Sequence, residues 1–127
     1  MQHPDANAVY GIYDAPTQDV AAGVMQSGRH DGVFVMGGEG TAPVVDLIHQ
    51  DRGVNAGVGF SVVWEGYAAL DAINRLLHGQ EPHDGVAFPS GIGLQLFTKS
   101  RNLPPAGERF SPAVDFEAAY RKAWGVD

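Results

Sequence analysis

The chain has 127 residues, 44 % of them hydrophobic and 18 % charged, which is ordinary for one globular domain able to bury a core and excludes a disordered chain. Its 15 acidic against 8 basic residues give a formal charge of −7 with no basic cluster, so a nucleic-acid partner is not expected. Zero cysteines exclude disulfides, thiol catalysis and thiolate metal sites, and leave the compartment open.

The beginning, "MQHPDANAVYG", lacks the basic and apolar regions of a signal peptide, and no apolar run approaches a membrane span. "AVYGIY" (8–13) is the first predicted strand. A helix is expected from Asp14, an N-cap type with Pro16 in the first turn, through Val20, Ala21, Val24 and Met25 to a stop at Gly28. "GVFVM" (32–36) is the second predicted strand. The glycine-rich turn "GGEGTAP" leads from it into a second helix with Thr41 as cap, Pro43 in the first turn, Val44, Leu47 and Ile48 as its apolar stripe, and Gly53 at its end. "NAGVGF" (55–60) is a weaker third strand. Two consecutive βα units with tight connections imply a right-handed, parallel α/β sheet.

Ser61 is expected to cap a longer helix over 62–78, with Val63, Tyr67, Leu70, Ile73 and Leu77 on its buried face and an Asp71–Arg75 pair on the other. "GVAFP" and "GLQLFTK" follow as strand material interrupted by Pro89, Gly91 and Gly93. After the breaker "LPPAGE", Ser111 as cap and Pro112 in the first position predict a last helix with Phe116, Ala119, Tyr120, Ala123 and Trp124 on one stripe. The whole, 1–127, reads as a single domain: a βαβαβ core over 1–60, a crossover helix and strand over 61–93, and a return strand and C-terminal helix over 94–127.

Parallel strands collect their carboxyl ends at one edge, where open α/β folds bind ligands. Those ends carry Tyr13 and Asp14, then Glu39, then Phe60 and Ser61, with Trp64 one turn further on. Two carboxylates, a hydroxyl and aromatic rings suit a polyol or sugar. Asp14 equally suits a helix cap, Glu39 a solvated loop carboxylate, and Tyr13, Phe60 and Trp64 the edge of a core.

Other chemistries fit less well. "GGEGTAP" matches neither phosphate-binding glycine pattern and places a glutamate where a phosphate would sit, so no nucleotide cofactor is expected. Histidines 3, 30, 49, 78 and 83 contain no i,i+4 pair, so no metal is expected either. Ser90 in "FPSGIG" lacks the first glycine of a nucleophile elbow, and nothing tunes Asp14 against Glu39 as an acid and base, so the chain does not read as an enzyme.

In order and content these motifs resemble the C-terminal part of the periplasmic sugar-binding proteins of ABC transporters, the ribose-binding type with the type I periplasmic binding fold. The resemblance is carried by "HPDANAVYGIYDAPTQDVAAGVMQSGR", by "GVFVMGGEGTAPVVDLI" and by "AGVGFSVVWEGYAALDAINRLLHGQEP", and the closing "LQLFTKSRNL" and "FEAAYRKAWG" also suit it. It implies a Rossmann-like three-layer α/β sandwich with a mainly parallel sheet, of which this chain supplies the latter part of one lobe plus a helix and strand of the other. Carried over by motif, the ligand contacts fall at Tyr13, in place of the family's asparagine, at Asp14, at Glu39, in place of the aspartate of G-F-D-G, and at Phe60, in place of a polar residue. Those departures point to a bulkier or less polar ligand than ribose.

The resemblance further implies an ABC permease as partner and a periplasmic or extracellular location for the intact protein. The rivals are the effector-sensing domain of a lactose-repressor-type regulator and a self-standing interaction domain without a ligand. With the other lobe missing, a homodimer is expected, including one that exchanges elements between protomers.

Overall fold

The structure, a computed structural model, describes residues 3, 5–82 and 93–126. These fall into two compact units. The first takes the chain as far as Phe60 together with Leu94–Ser111, and the second takes Ser61–Gly93 and the chain from Pro112 on.

The first unit is a four-stranded sheet in the order β1-β2-β3-β4, with β1 Ala8–Tyr10, β2 Phe34–Glu39, β3 Ala56–Gly59 and β4 Gln95–Thr98. β1, β2 and β3 are parallel and β4 is antiparallel to β3. Helices α1 (Asp14–Gln26) and α2 (Ala42–His49) are the two crossovers, and right-handed connections between adjacent strands place both on the same face. Their side chains Ala21, Val44, Val45 and Ile48 close a core with Val33, Val35, Val54 and Phe97. On the other face, Tyr10, Phe34 and Leu96 are each about half exposed or more.

Strand boundaries differ from the expected ones for local reasons. β1 is shorter, because the chain leaves the ladder after the Gly11 N–H bonds to the Met36 carbonyl at 2.9 Å. β2 starts later and runs through Gly37, Gly38 and Glu39, its expected first residue, Gly32, being the end of a 3₁₀ turn at His30–Gly32. "GVAFP" lies outside the described residues.

The glycines that weaken β3 as a sequence signal are what let it pack. A Cβ on Gly57 would lie 2.3 Å from the Phe97 ring, and one on Gly59 would lie 2.3 Å from the Phe110 ring. Phe97 is fully buried and Phe110 nearly so, so two rings occupy the volume that side chains would take in an ordinary strand.

The second unit pairs α3 (Val62–Leu77) with α4 (Phe116–Trp124). Ser61 caps α3 as expected, accepting from the Trp64 N–H at 3.3 Å. The cap of α4 is Asp115, which accepts from the Ala118 N–H at 3.0 Å, rather than Ser111 four residues earlier. The buried face of α3 matches the expected one only at Tyr67, which is half-buried and packs against Trp64, Phe116 and Tyr120. Trp64 and Asp71 are buried, whereas Val63, Leu70, Ile73 and Leu77 are exposed, Leu77 by 79 %.

What turns α3 is its partner. Trp64 stacks on Phe116 with ring centroids 5.1 Å apart, and Tyr67 stacks on Trp124 at 5.6 Å. Asp71 does not sit on a solvated face: it accepts from Arg75 Nε at 2.8 Å and from the Trp124 indole N–H at 2.7 Å. Burial pushes its carboxyl up, but those two donors and the guanidinium charge outweigh it and hold the pKa below the usual aspartate value.

The glycine packing makes a paired prediction. Gly57→Ala forces a methyl into the Phe97 ring and should destabilise the protein by about 1–3 kcal/mol in urea unfolding. Gly66→Ala, in the middle of α3 with nothing within 4 Å of the added carbon, should instead stabilise by up to ~1 kcal/mol. Equal effects at the two positions would contradict the account of β3.

Candidate functional site

At the carboxyl ends of the parallel strands the β1–α1 and β2–α2 turns are tied to each other by their carboxylates. α1 begins with Asp14, whose side chain does not cap its own helix; the cap position is Tyr13, which makes no side-chain capping bond. Asp14 reaches instead to the start of α2, accepting from the Thr41 backbone N–H at 2.5 Å and from the Thr41 hydroxyl at 2.8 Å. Thr41 therefore donates its hydroxyl to Asp14 and does not cap α2, as its place in the sequence suggests it would. Glu39 completes the exchange. Its Oε2 accepts from the Asp14 N–H at 3.0 Å, so the glutamate of one turn serves the first helix and the aspartate of the other serves the second. Each carboxylate meets the positive end of a helix that its own turn does not precede.

The glycines of the turn make this possible. A Cβ on Gly37 would stand 2.9 Å from Thr17 Oγ1 and 3.0 Å from Asp14 Oδ1, and one on Gly38 would stand 2.9 Å from the Ile12 carbonyl. The first turn of α1 thus lies directly against β2. Gly40, at φ 75°, bends the chain and offers its carbonyl to the Phe110 N–H at 2.7 Å. Glu39 has φ 81°, a left-handed conformation that costs a non-glycine residue about 1–3 kcal/mol and that the surrounding bonds must hold. None of this resembles a phosphate cradle.

Of the six residues singled out at this edge, four belong to the first unit and meet there. Tyr13 precedes α1 and is 51 % exposed, Asp14 and Glu39 share the bond just described, and the Phe60 N–H donates to the Glu39 carbonyl at 3.3 Å. Asp14 itself is 1 % exposed, so its carboxylate is internal to the turns rather than open to a ligand. Ser61 and Trp64 belong to the second unit, where Ser61 is buried as a helix cap and Trp64 is buried against Phe116. Neither side chain is open surface, and for Trp64 the reason is an aromatic partner on α4 that its distance in sequence concealed. Ile12, 73 % exposed beside Tyr13, also lies at this edge; the sequence places it inside an apolar run and gives no sign of its exposure. Among the described residues no group of three histidine, aspartate or glutamate side chains is placed to hold a metal ion.

Asp14 carries the electrostatic strain of the arrangement. Burial raises its pKa, the Thr41 N–H and hydroxyl lower it, the nearby Glu39 charge raises it again and the Gly40 N–H lowers it slightly, with the net shift upward from 3.8. Its Oδ1 is buried without a hydrogen-bond partner. The folded state therefore holds this proton more tightly than the unfolded chain does. Stability from this group is complete below the unfolded pKa and is lost as pH rises through the folded one. Asp14→Asn removes the titration, so the stability of the wild type relative to this variant should fall as pH rises above the ordinary aspartate pKa of 3.8 in denaturant titrations. A difference that rises with pH would mean that the ionised form is the favoured one.

No protein-family model matches the chain, and no curated protein sequence does. Solved structures do share its fold. A glucose-galactose binding protein from Geobacillus stearothermophilus aligns with a TM-score of 0.62 at 21 % identity, over 80 % of this chain and 34 % of its own. An ABC transporter solute binding protein from Agrobacterium vitis, bound with alpha-D-tagatopyranose, gives 0.61 at 22 % over 82 % and 33 %. The 5-methylthioribose transporter solute binding protein from Thermotoga lettingae gives 0.58 at 25 % over 78 % and 30 %. The chain spans about a third of the length of these proteins. Its mainly parallel α/β architecture matches the fold of about a third of each of these solute-binding proteins.

Proposed function

We propose that this chain is the C-terminal portion of a sugar-binding component of an ABC transporter, and that the edge formed by Tyr13, Glu39 and Phe60 is its ligand face. The observation that carries the reading is the cross-tied pair of turns. It stands at the carboxyl ends of parallel strands, where such folds bind ligands, and it maintains Glu39 in a strained left-handed conformation at that edge. Asp14 acts in this reading by positioning the turns rather than by touching the ligand. The resemblance of the sequence and the solutes named for the similar structures favour a sugar. An ABC permease is the partner of the intact protein and the periplasm or cell exterior its location, and the role is binding rather than catalysis.

The open surfaces support the same reading. A mainly parallel sheet is normally covered on both faces, yet Tyr10, Phe34 and Leu96 are exposed on one of them. α3 likewise exposes Val63, Leu70, Ile73 and Leu77, each worth about 1.5–3 kcal/mol when fully buried. For the chain by itself the available cover is a second copy, so we expect a homodimer, with exchange of elements between protomers as one way of forming it.

Two measurements test these points. A ligand face of this kind works as half of a cleft, so calorimetry of the isolated chain against monosaccharides should show binding no tighter than roughly millimolar, near −4 kcal/mol. Micromolar binding by a monomer would show a complete site. Light scattering at micromolar concentration should give a dimer, and a monomer that stays folded would overturn the assembly.

A further inference from the structure

β1 is an outer strand of the sheet, with β2 on one side and, among the described residues, no strand on the other. The Asn7 carbonyl accepts from the Phe34 N–H at 2.8 Å and the Gly11 N–H donates to the Met36 carbonyl at 2.9 Å, so residues 7, 9 and 11 face β2. The N–H and C=O groups of Ala8 and Tyr10 therefore point away from it, into the open edge. Soluble proteins guard such an edge with a charge, a proline or a bulge, yet the stretch 7–13 carries no charged residue and no proline.

Beside this edge, on the helix face, a groove of about 440 Å³ is lined mainly by Val9, Val20, Gly23, Val24 and Val33. A Cβ on Gly23 would meet nothing within 4 Å, so the backbone of α1 is bare where it borders the groove. The edge also complements itself. In an antiparallel pairing centred on Val9, Ala8 of each copy stands opposite the partner's Tyr10, and these opposed residues exchange both N–H···O=C bonds. The two Val9 side chains meet across the axis on the helix face, because Val9 is in register with the buried Val35. On the other face Ala8, in register with Phe34, leaves room for the partner's Tyr10 ring to lie toward Phe34. The same axis keeps both α1 helices on one side of the joined sheet, each bringing Val20 and Val24 to the other's groove, and no like charges meet along the paired stretch.

We propose that β1 is a dimer edge, which pairs antiparallel with β1 of a second copy about a two-fold axis at Val9 and joins the two four-stranded sheets into one. The proposal rests on the homodimer expected above and names its interface, independently of any ligand.

The test follows the full chain by sedimentation velocity over micromolar concentrations, together with hydrogen exchange of the Ala8 and Tyr10 amides. In the wild type those amides should exchange slowly where the dimer is populated and freely on dilution, because no described residue of a single copy accepts from them. Ala8→Pro removes the outward N–H, leaves the bonds of residues 7, 9 and 11 to β2 in place, and should weaken the dimer about tenfold or more. Gly23→Glu puts a charge into the groove while favouring the helix, so it should weaken the dimer by a similar factor and keep the monomer folded. Leu77→Glu, on α3, should leave the dimer unchanged. A dimer that survives Ala8→Pro and Gly23→Glu, with the two amides exchanging freely, would overturn the edge pairing and leave the homodimer standing. A chain that is monomeric throughout would overturn both.

Discussion

The exchange of carboxylates between the two turns is the constraint on which the first unit is built. Helix starts present several N–H groups without partners, and a parallel sheet gathers such starts at one edge. Here Asp14 serves α2 and Glu39 serves α1, so neither helix start is satisfied unless both turns are in place. Local capping would leave the two βα units free to shift. Crossed capping couples them, and it does so through a carboxylate that burial makes reluctant to ionise and a glutamate held in a left-handed conformation.

The bare glycines follow from the same requirement for closeness. Gly11 and Gly37 bring the first turn of α1 against the sheet, where a Cβ at Gly11 would lie 2.1 Å from Thr17 Oγ1. Gly57 and Gly59 bring Phe97 and Phe110 over β3. Backbone approach replaces side-chain interdigitation in both places, and the two large rings restore the packing density that the glycines give up. The second unit is held differently, by aromatic stacking of α3 on α4 and by one buried carboxylate, Asp71, with an indole and a guanidinium as donors.

These features together describe an edge held by its own carboxylates. A carboxylate buried between two turns is well suited to holding loops in register, and its raised pKa comes from burial beside another carboxylate. The exposed side chains beside it supply surface and a single charged acceptor. One sheet face and one helix face are left apolar and open, and the chain spans about a third of the length of the similar structures.

Among the described residues, the sequence by itself determined the order of strands and helices, the parallel start of the sheet, the Ser61 cap and the stripe of Phe116, Tyr120 and Trp124, because periodicity, capping residues and breakers act within a few positions of one another. It also placed Tyr13, Asp14, Glu39 and Phe60 at strand ends. Only the tertiary structure decided which helix each carboxylate serves, since Asp14 and Thr41 are 27 positions apart and either residue alone reads as an ordinary cap. It likewise decided which face of α3 is buried. The expected apolar stripe 63–67–70–73–77 follows helical spacing, but of it only Tyr67 meets α4, and the aromatic partners that choose the face of Trp64, Tyr67 and Asp71 lie about fifty residues later. Local spacing records what a helix can bury, and only the arrival of the partner determines what it does bury.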